Sequence, residues 1–311
     1  MRVLVTGGTG FIGRHVVADL LALGYQVTTL ARSAAPPAWP CAHLQVDVLD
    51  AAAQAAARDA EGIVHLAAVP DVGISLQQPY AASLTNAAGT LNVLEGARAG
   101  GGRVVLFSTQ RVYVASAKPL AEDAPLADDN PYAVSKRIAE QWLAMYHRLY
   151  GVPTVALRGF SIYGPGQLVQ GGSGGVLSAL AQRALAGLPL EIDSPAVRDL
   201  TEVRDAALAV RLALRVPAAV GGVYNVGTGV STSLLALAER VVAATGSRSA
   251  IRPPPAGQPT GYVADLTRAR ADLGYEPAIS LDEGLSRYVA WLRDHRAHSP
   301  QGTPHPAPAR R

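Results

Sequence analysis

The chain has 311 residues, of which 49% are hydrophobic and 16% are charged, and its formal net charge is +3. A chain of this size and composition can bury a sizeable core, while its single cysteine, Cys41, excludes an internal disulfide and a multi-cysteine metal site. Part of the positive charge lies in the final "APARR", so the charge is weak evidence for binding to nucleic acid. The seven histidines show no metal-ligand spacing, and no metal site is expected.

The two ends of the chain bear on its cellular location and on how far the folded region extends. The N-terminal "MRVLVTGG" enters a glycine-rich turn too early for a signal peptide, and no apolar run of about 18 residues follows elsewhere. We therefore expect a cytoplasmic protein. Residues 299–311 are rich in proline and lack periodicity, which predicts a disordered tail.

The first predicted elements are a strand over 2–6, a glycine-rich turn and a helix over 11–24. The turn, "VTGGTGFIG", has glycines at positions 7, 10 and 13. Glycine lets the backbone approach a pyrophosphate closely, and the helix N-terminus offers free N–H groups to it. The spacing is GxxGxxG rather than GxGxxG, yet its place between a strand and a helix favours dinucleotide binding over a plain turn.

The second predicted strand, 26–31, ends where such proteins select their cofactor. An acid there would bind the ribose 2′-hydroxyl and repel a 2′-phosphate, but this chain has Ala31, Arg32 and Ser33. A guanidinium and a hydroxyl can bind a phosphate, so the sequence favours NADP(H) without excluding NAD. The alternative is that Arg32 is a solvated loop charge. Further on, Asp47 either accepts a hydrogen bond from the adenine amino group or caps its own loop.

Further short apolar runs are typical of strands buried on both faces. These runs cover 62–68, 103–108 and 154–158, and they alternate with helical stretches at 86–102 and 130–149. Alternation of strands and helices predicts an α/β fold with a Rossmann-type, doubly wound parallel sheet.

The end of one strand and the start of one helix supply a possible proton relay. Thr109 follows the strand at 103–108, so its hydroxyl is expected in the ligand crevice at the sheet's carboxyl edge. In "NPYAVSK", Asn130 can cap a helix, and Tyr132 and Lys136 are four residues apart on one face. A nearby ammonium and the helix N-terminus both favour a phenolate, which predicts that Tyr132 acts as a general base.

The second half of the sequence is less regular. Helices are predicted at 176–187, 233–246 and 280–295, a strand and turn at 221–228, and a flexible loop at 170–175. We expect an NAD(P)-binding domain formed by residues 1–160 with segments of about 199–228. Residues 161–198 and 229–298 are expected to form a smaller C-terminal substrate-binding lobe.

These motifs, in this order, resemble the extended short-chain dehydrogenase/reductase superfamily. Within this superfamily, the chain is most similar to the NAD-dependent epimerase/dehydratase family, which acts on nucleotide sugars. The resemblance is to members of the UDP-glucose 4-epimerase type. It extends over roughly residues 1–295. The segments that carry it are "TGGTGFIG", "HLAA", "NAAGTLNVLE", "STQRVY", "NPYAVSK", "LRGFSIYGPGQ", "RDLTEVRDAA", "YNVGTG" and "LGYEPAISLDEGL".

The resemblance implies roles for individual positions. Thr109, Tyr132 and Lys136 match the family's catalytic residues, and Lys136 would also contact the nicotinamide ribose. Thr109, Gln110, Ser161 and Arg198 match substrate-binding positions. Arg198 corresponds to an arginine that binds the substrate's diphosphate, unless it forms a salt bridge with Asp199 or Asp205. The expected cofactor contacts are Gly7, Gly10, Phe11, Ile12, Gly13, Arg32, Asp47, Val48, Leu66, Ala67, Ala68, Asn86, Tyr132 and Lys136.

Departures from the family pattern limit the choice of reaction. Dehydratases and decarboxylases resemble one another in carrying acids just after the catalytic hydroxyl, where this chain has Gln110 and Arg111. Simple dehydration is therefore disfavoured. Ser161 replaces an asparagine that binds the substrate in many relatives, and Ala31 replaces the usual acid.

Four functions are compatible with these observations. The first is a nucleotide-sugar epimerase that oxidises C4 and returns the hydride to the other face. The second is an NADPH-dependent reductase of a keto sugar or another small carbonyl compound, and a dehydratase is less favoured. A non-catalytic NADP-binding regulator is the weakest, because it would not need Thr109, Tyr132 and Lys136 together. The apolar faces of the helices near 86–100 and 132–149 either form a homodimer interface or pack only within the subunit.

Overall fold

The structure, a computed structural model, describes residues 1–167 and 175–298. The predicted tail at 299–311 and the predicted loop at 170–175, except for Gly175, lie outside the described residues. Within the described part of the chain, no helix combines the length and the apolar character needed to cross a bilayer.

Fourteen strands and ten α-helices make up the described regular structure, together with four single turns of other helix types. The strands are β1 (Arg2–Thr6), β2 (Gln26–Ala31), β3 (Ala42–Gln45), β4 (Gly62–His65), β5 (Arg103–Thr109), β6 (Thr154–Gly159), β7 (Ile162–Tyr163), β8 (Leu190–Glu191), β9 (Val197–Arg198), β10 (Thr201–Glu202), β11 (Val223–Val226), β12 (Thr232–Ser233), β13 (Ile251–Arg252) and β14 (Gly261–Tyr262). The α-helices are α1 (Phe11–Ala22), α2 (Ala51–Arg58), α3 (Val72–Gln77), α4 (Pro79–Ser83), α5 (Gly89–Gly100), α6 (Pro131–Tyr150), α7 (Gly175–Leu185), α8 (Val203–Arg215), α9 (Leu234–Thr245) and α10 (Leu281–His298). The single turns are π-helical at Leu84–Ala88 and Ala269–Leu273, and 3₁₀-helical at Gln110–Val112 and Pro217–Ala219.

The predicted α/β fold with a doubly wound parallel sheet is confirmed. Seven strands pair in the order β11-β6-β5-β4-β1-β2-β3, and every pair in this sheet is parallel. The chain moves outward in one direction from β1 to β3 and then in the other direction from β4. In such sheets ligands bind where the direction reverses, at the carboxyl ends of the strands.

Both faces of the sheet are covered, as its apolar strands require. In β1, Val3 and Val5 pack on the side of α1 and α8, while Leu4 packs on the side of α2, α5 and α6. This alternation is the two-residue period of a strand, so one apolar run supplies two cores.

A third apolar cluster lies away from the central sheet. It joins buried side chains of α7, α9 and α10, such as Leu180, Leu237 and Tyr288. Strand β11, by contrast, pairs with β6 at the edge of the central sheet. The division into an NAD(P)-binding domain and a substrate-binding lobe, with the boundaries given above, stays a prediction.

The main differences from the sequence-based elements lie beside the crevice. The predicted strand at 62–68 ends at His65, because Leu66, Ala67 and Ala68 leave the sheet to line a cavity. The predicted helix at 86–102 begins as a π-helical turn and becomes α-helical at Gly89. The edge strand β3, the alanine-rich α2 and the amphipathic α8 were not predicted.

Candidate active site

A cavity of about 1500 Å³ extends along the carboxyl ends of β1, β2, β4, β5 and β6. This exceeds the roughly 300–1,000 Å³ of a typical small-molecule pocket, so it has room for a dinucleotide and a second ligand. The cavity brings together every site residue predicted from the sequence except Asn86. Those residues are Gly7, Gly10, Phe11, Ile12, Gly13, Arg32, Asp47, Val48, Leu66, Ala67, Ala68, Thr109, Gln110, Tyr132, Lys136, Ser161 and Arg198.

The glycine turn forms one end of the cavity and depends on missing side chains. Gly7 has a φ of +67°, and a Cβ atom on it would lie 2.8 Å from the Ala67 nitrogen. A Cβ atom on Gly13 would lie 2.3 Å from the Gly7 carbonyl oxygen. Helix α1 begins directly after Gly10, so its free N–H groups face the same space. This close-fitting cradle suits the diphosphate of a dinucleotide.

The end of β2 lies against this turn. Arg32 and Ser33 line the cavity, and the Ser33 hydroxyl is 3.2 Å from the Thr9 hydroxyl. Within the described residues, no carboxylate lies within ion-pair distance of Arg32. Asp47 also lines the cavity, while its Oδ1 accepts a hydrogen bond from the Leu49 N–H at 3.0 Å. Asp47 therefore caps its own loop in the structure, as the second of its two predicted roles requires.

The opposite end of the cavity is built by β5 and α6. Helix α6 begins at Pro131, and its N-cap Asn130 accepts a hydrogen bond from the Ala133 N–H at 2.9 Å. This cap fixes the first turn, from which Tyr132 faces the cavity with Lys136 one turn later. Thr109 is the last residue of β5 and forms a hydrogen bond with the Tyr132 phenol.

Opposing effects act on the expected phenolate at Tyr132. Burial raises the pKa of Tyr132, and the hydrogen bond from Thr109 and the charge of Arg111 lower it by less. Burial also lowers the pKa of Lys136 to about 8, with the charge of Glu140 opposing this shift. The sequence argument counted nearby charge and omitted desolvation, which disfavours both charged forms, so the role of Tyr132 as general base stays a prediction.

A buried ion pair supports the reacting end from behind. Glu140, one turn after Lys136 on α6, forms a salt bridge with Arg158 on β6, with 2.7 Å between Oε2 and Nη2. The Ser108 hydroxyl also donates to Glu140, and Arg158 donates to the Tyr113 hydroxyl at 2.8 Å. Sequence reasoning missed this network, although the spacing of four residues from Lys136 to Glu140 could have revealed the shared helix face.

The predicted substrate-binding residues Gln110, Ser161 and Arg198 also line the cavity. The Gln110 side-chain N–H donates to the Ser161 hydroxyl at 3.1 Å, and Ser161 has an unusual φ of +33°. Arg198 donates to the carbonyl of its neighbour Val197 and has no ion pair in the described part of the chain. The alternative of a structural salt bridge from Arg198 is therefore wrong.

The acids proposed for that salt bridge have other partners. Asp199 accepts hydrogen bonds from the backbone of Thr228, Gly229 and Ala264. Asp205 accepts from the backbone of Ala278 and Ile279. Both acids hold loops, and the guanidinium of Arg198 remains available to the cavity.

Asn86 does not line the cavity. Its buried amide accepts from the Val69 N–H at 2.8 Å and donates to the Ser135 hydroxyl at 2.9 Å. It thereby ties the segment after β4 to helix α6. The structure thus supports a positioning role for Asn86, and its expected contact with the cofactor stays a prediction.

Comparison with known proteins gives consistent results. A family model described as the NAD dependent epimerase/dehydratase family matches residues 3–227. The chain is 34% identical to UDP-glucose 4-epimerase of Mycolicibacterium smegmatis, over 94% of this chain and 99% of that protein. It is 30% identical to dTDP-glucose 4,6-dehydratase of an Actinoplanes species, over 96% and 99% of the two chains.

A solved structure is also similar over almost the whole chain. The complex of UDP-glucose 4-epimerase from Thermus thermophilus with NAD superposes with a TM-score of 0.82. The two sequences are 33% identical, over 94% of this chain and 99% of that chain. The similarity therefore extends beyond the central sheet.

Proposed function

The chain belongs to the NAD dependent epimerase/dehydratase family, and from this premise we propose that it is an NAD(P)-dependent epimerase of a nucleotide sugar. The reaction would transiently oxidise C4 of the sugar and return the hydride to the other face. The observation that carries this proposal is that Thr109, Tyr132 and Lys136 share one cavity with the glycine turn. The similar UDP-glucose 4-epimerases support the same reaction.

The residues at the reacting end have distinct tasks. Tyr132 takes the proton from the substrate hydroxyl and later gives a proton back, while Thr109 holds the same oxygen by a hydrogen bond. The Lys136 ammonium stabilises the phenolate, and the buried Glu140 maintains that positive charge. The nicotinamide cofactor, when bound, supplies a reversible hydride acceptor. Burial of Tyr132 and Lys136 limits the contact of these two side chains with water.

The phosphate state of the cofactor is a separate proposal. The structure of the similar Thermus enzyme contains NAD. In this chain, the cation of Arg32 and the hydroxyl of Ser33 stand at the end of β2 without an acid, and both line the cavity. This favours NADP(H), because an acid there would repel a 2′-phosphate. It is also the observation that keeps an NADPH-dependent reductase as the second candidate function.

A dehydratase stays the less favoured reaction. The chain is similar to a dTDP-glucose 4,6-dehydratase, but Gln110 and Arg111 follow Thr109 and neither can act as an acid. Loss of water would need another proton donor. Homodimer formation through α5 and α6 and a cytoplasmic location also remain predictions.

One experiment separates the candidate reactions. The purified protein is denatured, and any released dinucleotide is identified by mass spectrometry. Fresh protein is then incubated with UDP-, dTDP- and GDP-sugars. Retained dinucleotide and interconversion of C4 epimers support the epimerase. Protein that releases no dinucleotide and consumes added NADPH with a ketone would instead establish the reductase.

A further inference from the structure

Two arginines of the cavity flank a single tyrosine ring. The guanidinium carbon of Arg111 lies 5.3 Å from the centroid of the Tyr262 ring, and that of Arg198 lies 5.6 Å from it. Both arginines line the cavity, and Tyr262 is buried. A cation held over an aromatic ring is positioned without losing its charge. This part of the cavity therefore presents two positioned positive charges, whereas the sequence predicted a substrate-binding role for Arg198 alone.

Arg111 has no anionic partner of its own. In residues 1–167 and 175–298, no carboxylate lies within ion-pair distance of its guanidinium. It is only partly buried, and it lines the cavity. An unpaired, positioned guanidinium beside a cavity is suited to bind a carboxylate or phosphate in a bidentate manner.

The neighbouring Gln110 has an unused acceptor. The residue is only 6% exposed, and its side-chain oxygen has no hydrogen-bond partner, while its nitrogen donates to Ser161. A buried polar atom without a partner is costly, and because Gln110 lines the cavity, a turn of its amide toward that space would let a ligand group satisfy the oxygen. A carbonyl oxygen repels a phosphate but accepts a hydrogen bond from a hydroxyl. Gln110 therefore suits a sugar rather than a diphosphate.

The charge of Arg111 lies toward the reacting end of the cavity. The backbone N–H of Arg111 donates to the Thr109 hydroxyl oxygen at 3.2 Å, and its charge opposes the rise that burial causes in the pKa of Tyr132. The two guanidinium groups share the Tyr262 ring, and the pKa of Arg198 is lowered by burial and, to a smaller extent, by the charge of Arg111. Since Arg198 is the residue expected to bind the diphosphate, Arg111 is left to face the sugar ring.

We propose that Gln110 and Arg111 form a subsite for a sugar that carries a carboxylate, so that the preferred substrate is a nucleotide-linked uronic acid. This inference rests on the proposed function and specifies its substrate class. Arg111 would bind the carboxylate, and the free oxygen of Gln110 would accept from a ring hydroxyl. Arg198 would serve the diphosphate that all nucleotide sugars share.

The test compares matched sugars that differ in one charge. The dinucleotide-bound protein is assayed with UDP-glucuronate and UDP-glucose, and binding of both and of UDP alone is measured by calorimetry. The wild type is expected to favour UDP-glucuronate at least about 10-fold in kcat/KM, in line with a charge-assisted contact. Arg111→Gln should reduce this preference at least about 10-fold, and Arg111→Lys should restore part of it.

Two further variants define the site. Gln110→Glu should weaken binding of UDP-glucuronate more than binding of UDP-glucose, because the new carboxylate repels the substrate's own. Arg198→Gln should weaken both sugars and UDP to a similar extent. Thermal unfolding of each variant checks that the fold is retained.

Opposite results would overturn the proposal. Equal use of both sugars by the wild type would do so, as would an Arg111→Gln variant that loses affinity for UDP as strongly as for UDP-glucuronate. The latter result would place the diphosphate on Arg111. Absence of turnover with every nucleotide sugar, with Arg111-dependent binding of UDP-glucuronate intact, would instead refute the epimerase and keep the subsite.

Discussion

The two ends of the cavity are built in different ways. At the glycine turn, the backbone itself forms the binding surface, and the important feature is the absence of Cβ atoms on Gly7 and Gly13. At the reacting end, the surface consists of buried polar side chains, among them Tyr132 and Lys136. The first end depends on shape, and the second depends on charge held out of water.

This difference has a consequence for stability. The glycine turn satisfies its own backbone, as in the hydrogen bond from the Gly10 N–H to the Gly7 carbonyl at 3.0 Å. The reacting end keeps Lys136 at a depressed pKa and needs the Glu140–Arg158 pair beside it. Function at this end is therefore expected to oppose stability, as is common where buried charges carry out chemistry.

The largest effect is expected from Tyr132→Phe at the reacting end. The substitution removes the only phenol hydrogen-bonded to Thr109 within the described residues and leaves the ring in place. Turnover should fall by about 10³-fold or more, consistent with the loss of a general base. Dinucleotide affinity, measured by fluorescence titration, should stay within about 2-fold, because the ring still packs. Retained turnover would exclude Tyr132 as the base.

The second-largest effect is expected from Gly13→Ala at the glycine turn. It concerns binding of the dinucleotide and involves no change in charge. The new Cβ atom would meet the carbonyls of Gly7 and Gly8 at 2.3 and 2.6 Å, so the turn must shift. We expect dinucleotide affinity to fall at least about 10-fold, because close backbone approach to the diphosphate is lost.

Gly246→Ala provides the matched control for Gly13→Ala. Gly246 ends α9 with a φ of +59°, and its Cβ position is open. That variant should lose on the order of 1 kcal/mol of stability and bind the dinucleotide normally. Unchanged cofactor binding in Gly13→Ala would show that dinucleotide affinity does not depend on the absence of a Cβ atom at Gly13.

The smallest expected effect is a change in the free energy of unfolding that comes from the buried charge of Lys136. Burial lowers the pKa of Lys136 from 10.5 to about 8, so the unfolded chain binds more protons between these values. The free energy of unfolding of the wild type should therefore rise with pH across that window. Lys136→Met removes the buried charge and should raise this free energy at pH 7 by on the order of 1 to 3 kcal/mol, while activity is lost.

Urea denaturation of both proteins at pH 7 and near pH 10.5 measures this effect. The gain in Lys136→Met should shrink at the higher pH, because the wild-type lysine is then neutral in the folded state. Arg240→Gln is a suitable control, since Arg240 forms an exposed salt bridge with Asp282 on another helix. Its loss should cost less than about 1 kcal/mol. A Lys136→Met protein less stable than the wild type would contradict the inference that the buried charge of Lys136 lowers the stability of the folded protein.

The sequence by itself determined the parts of the site that depend on local backbone geometry. Glycines between a strand and a helix predicted the turn, and the spacing of Tyr132 and Lys136 predicted a shared helix face. The position of Thr109 after an apolar strand predicted its place at the carboxyl edge of the sheet. These features follow from the periods of strands and helices, which one stretch of chain fixes alone.

The tertiary structure alone decided the electrostatics of the site. The direction of the pKa shift at Tyr132 depends on how far the phenol is buried by segments distant in sequence, and desolvation outweighs the nearby charges. The juxtaposition of Arg111 and Arg198 depends on Tyr262, more than 60 residues beyond the second of them. Desolvation and long-range packing have no period along the chain, so no sequence pattern could have specified them.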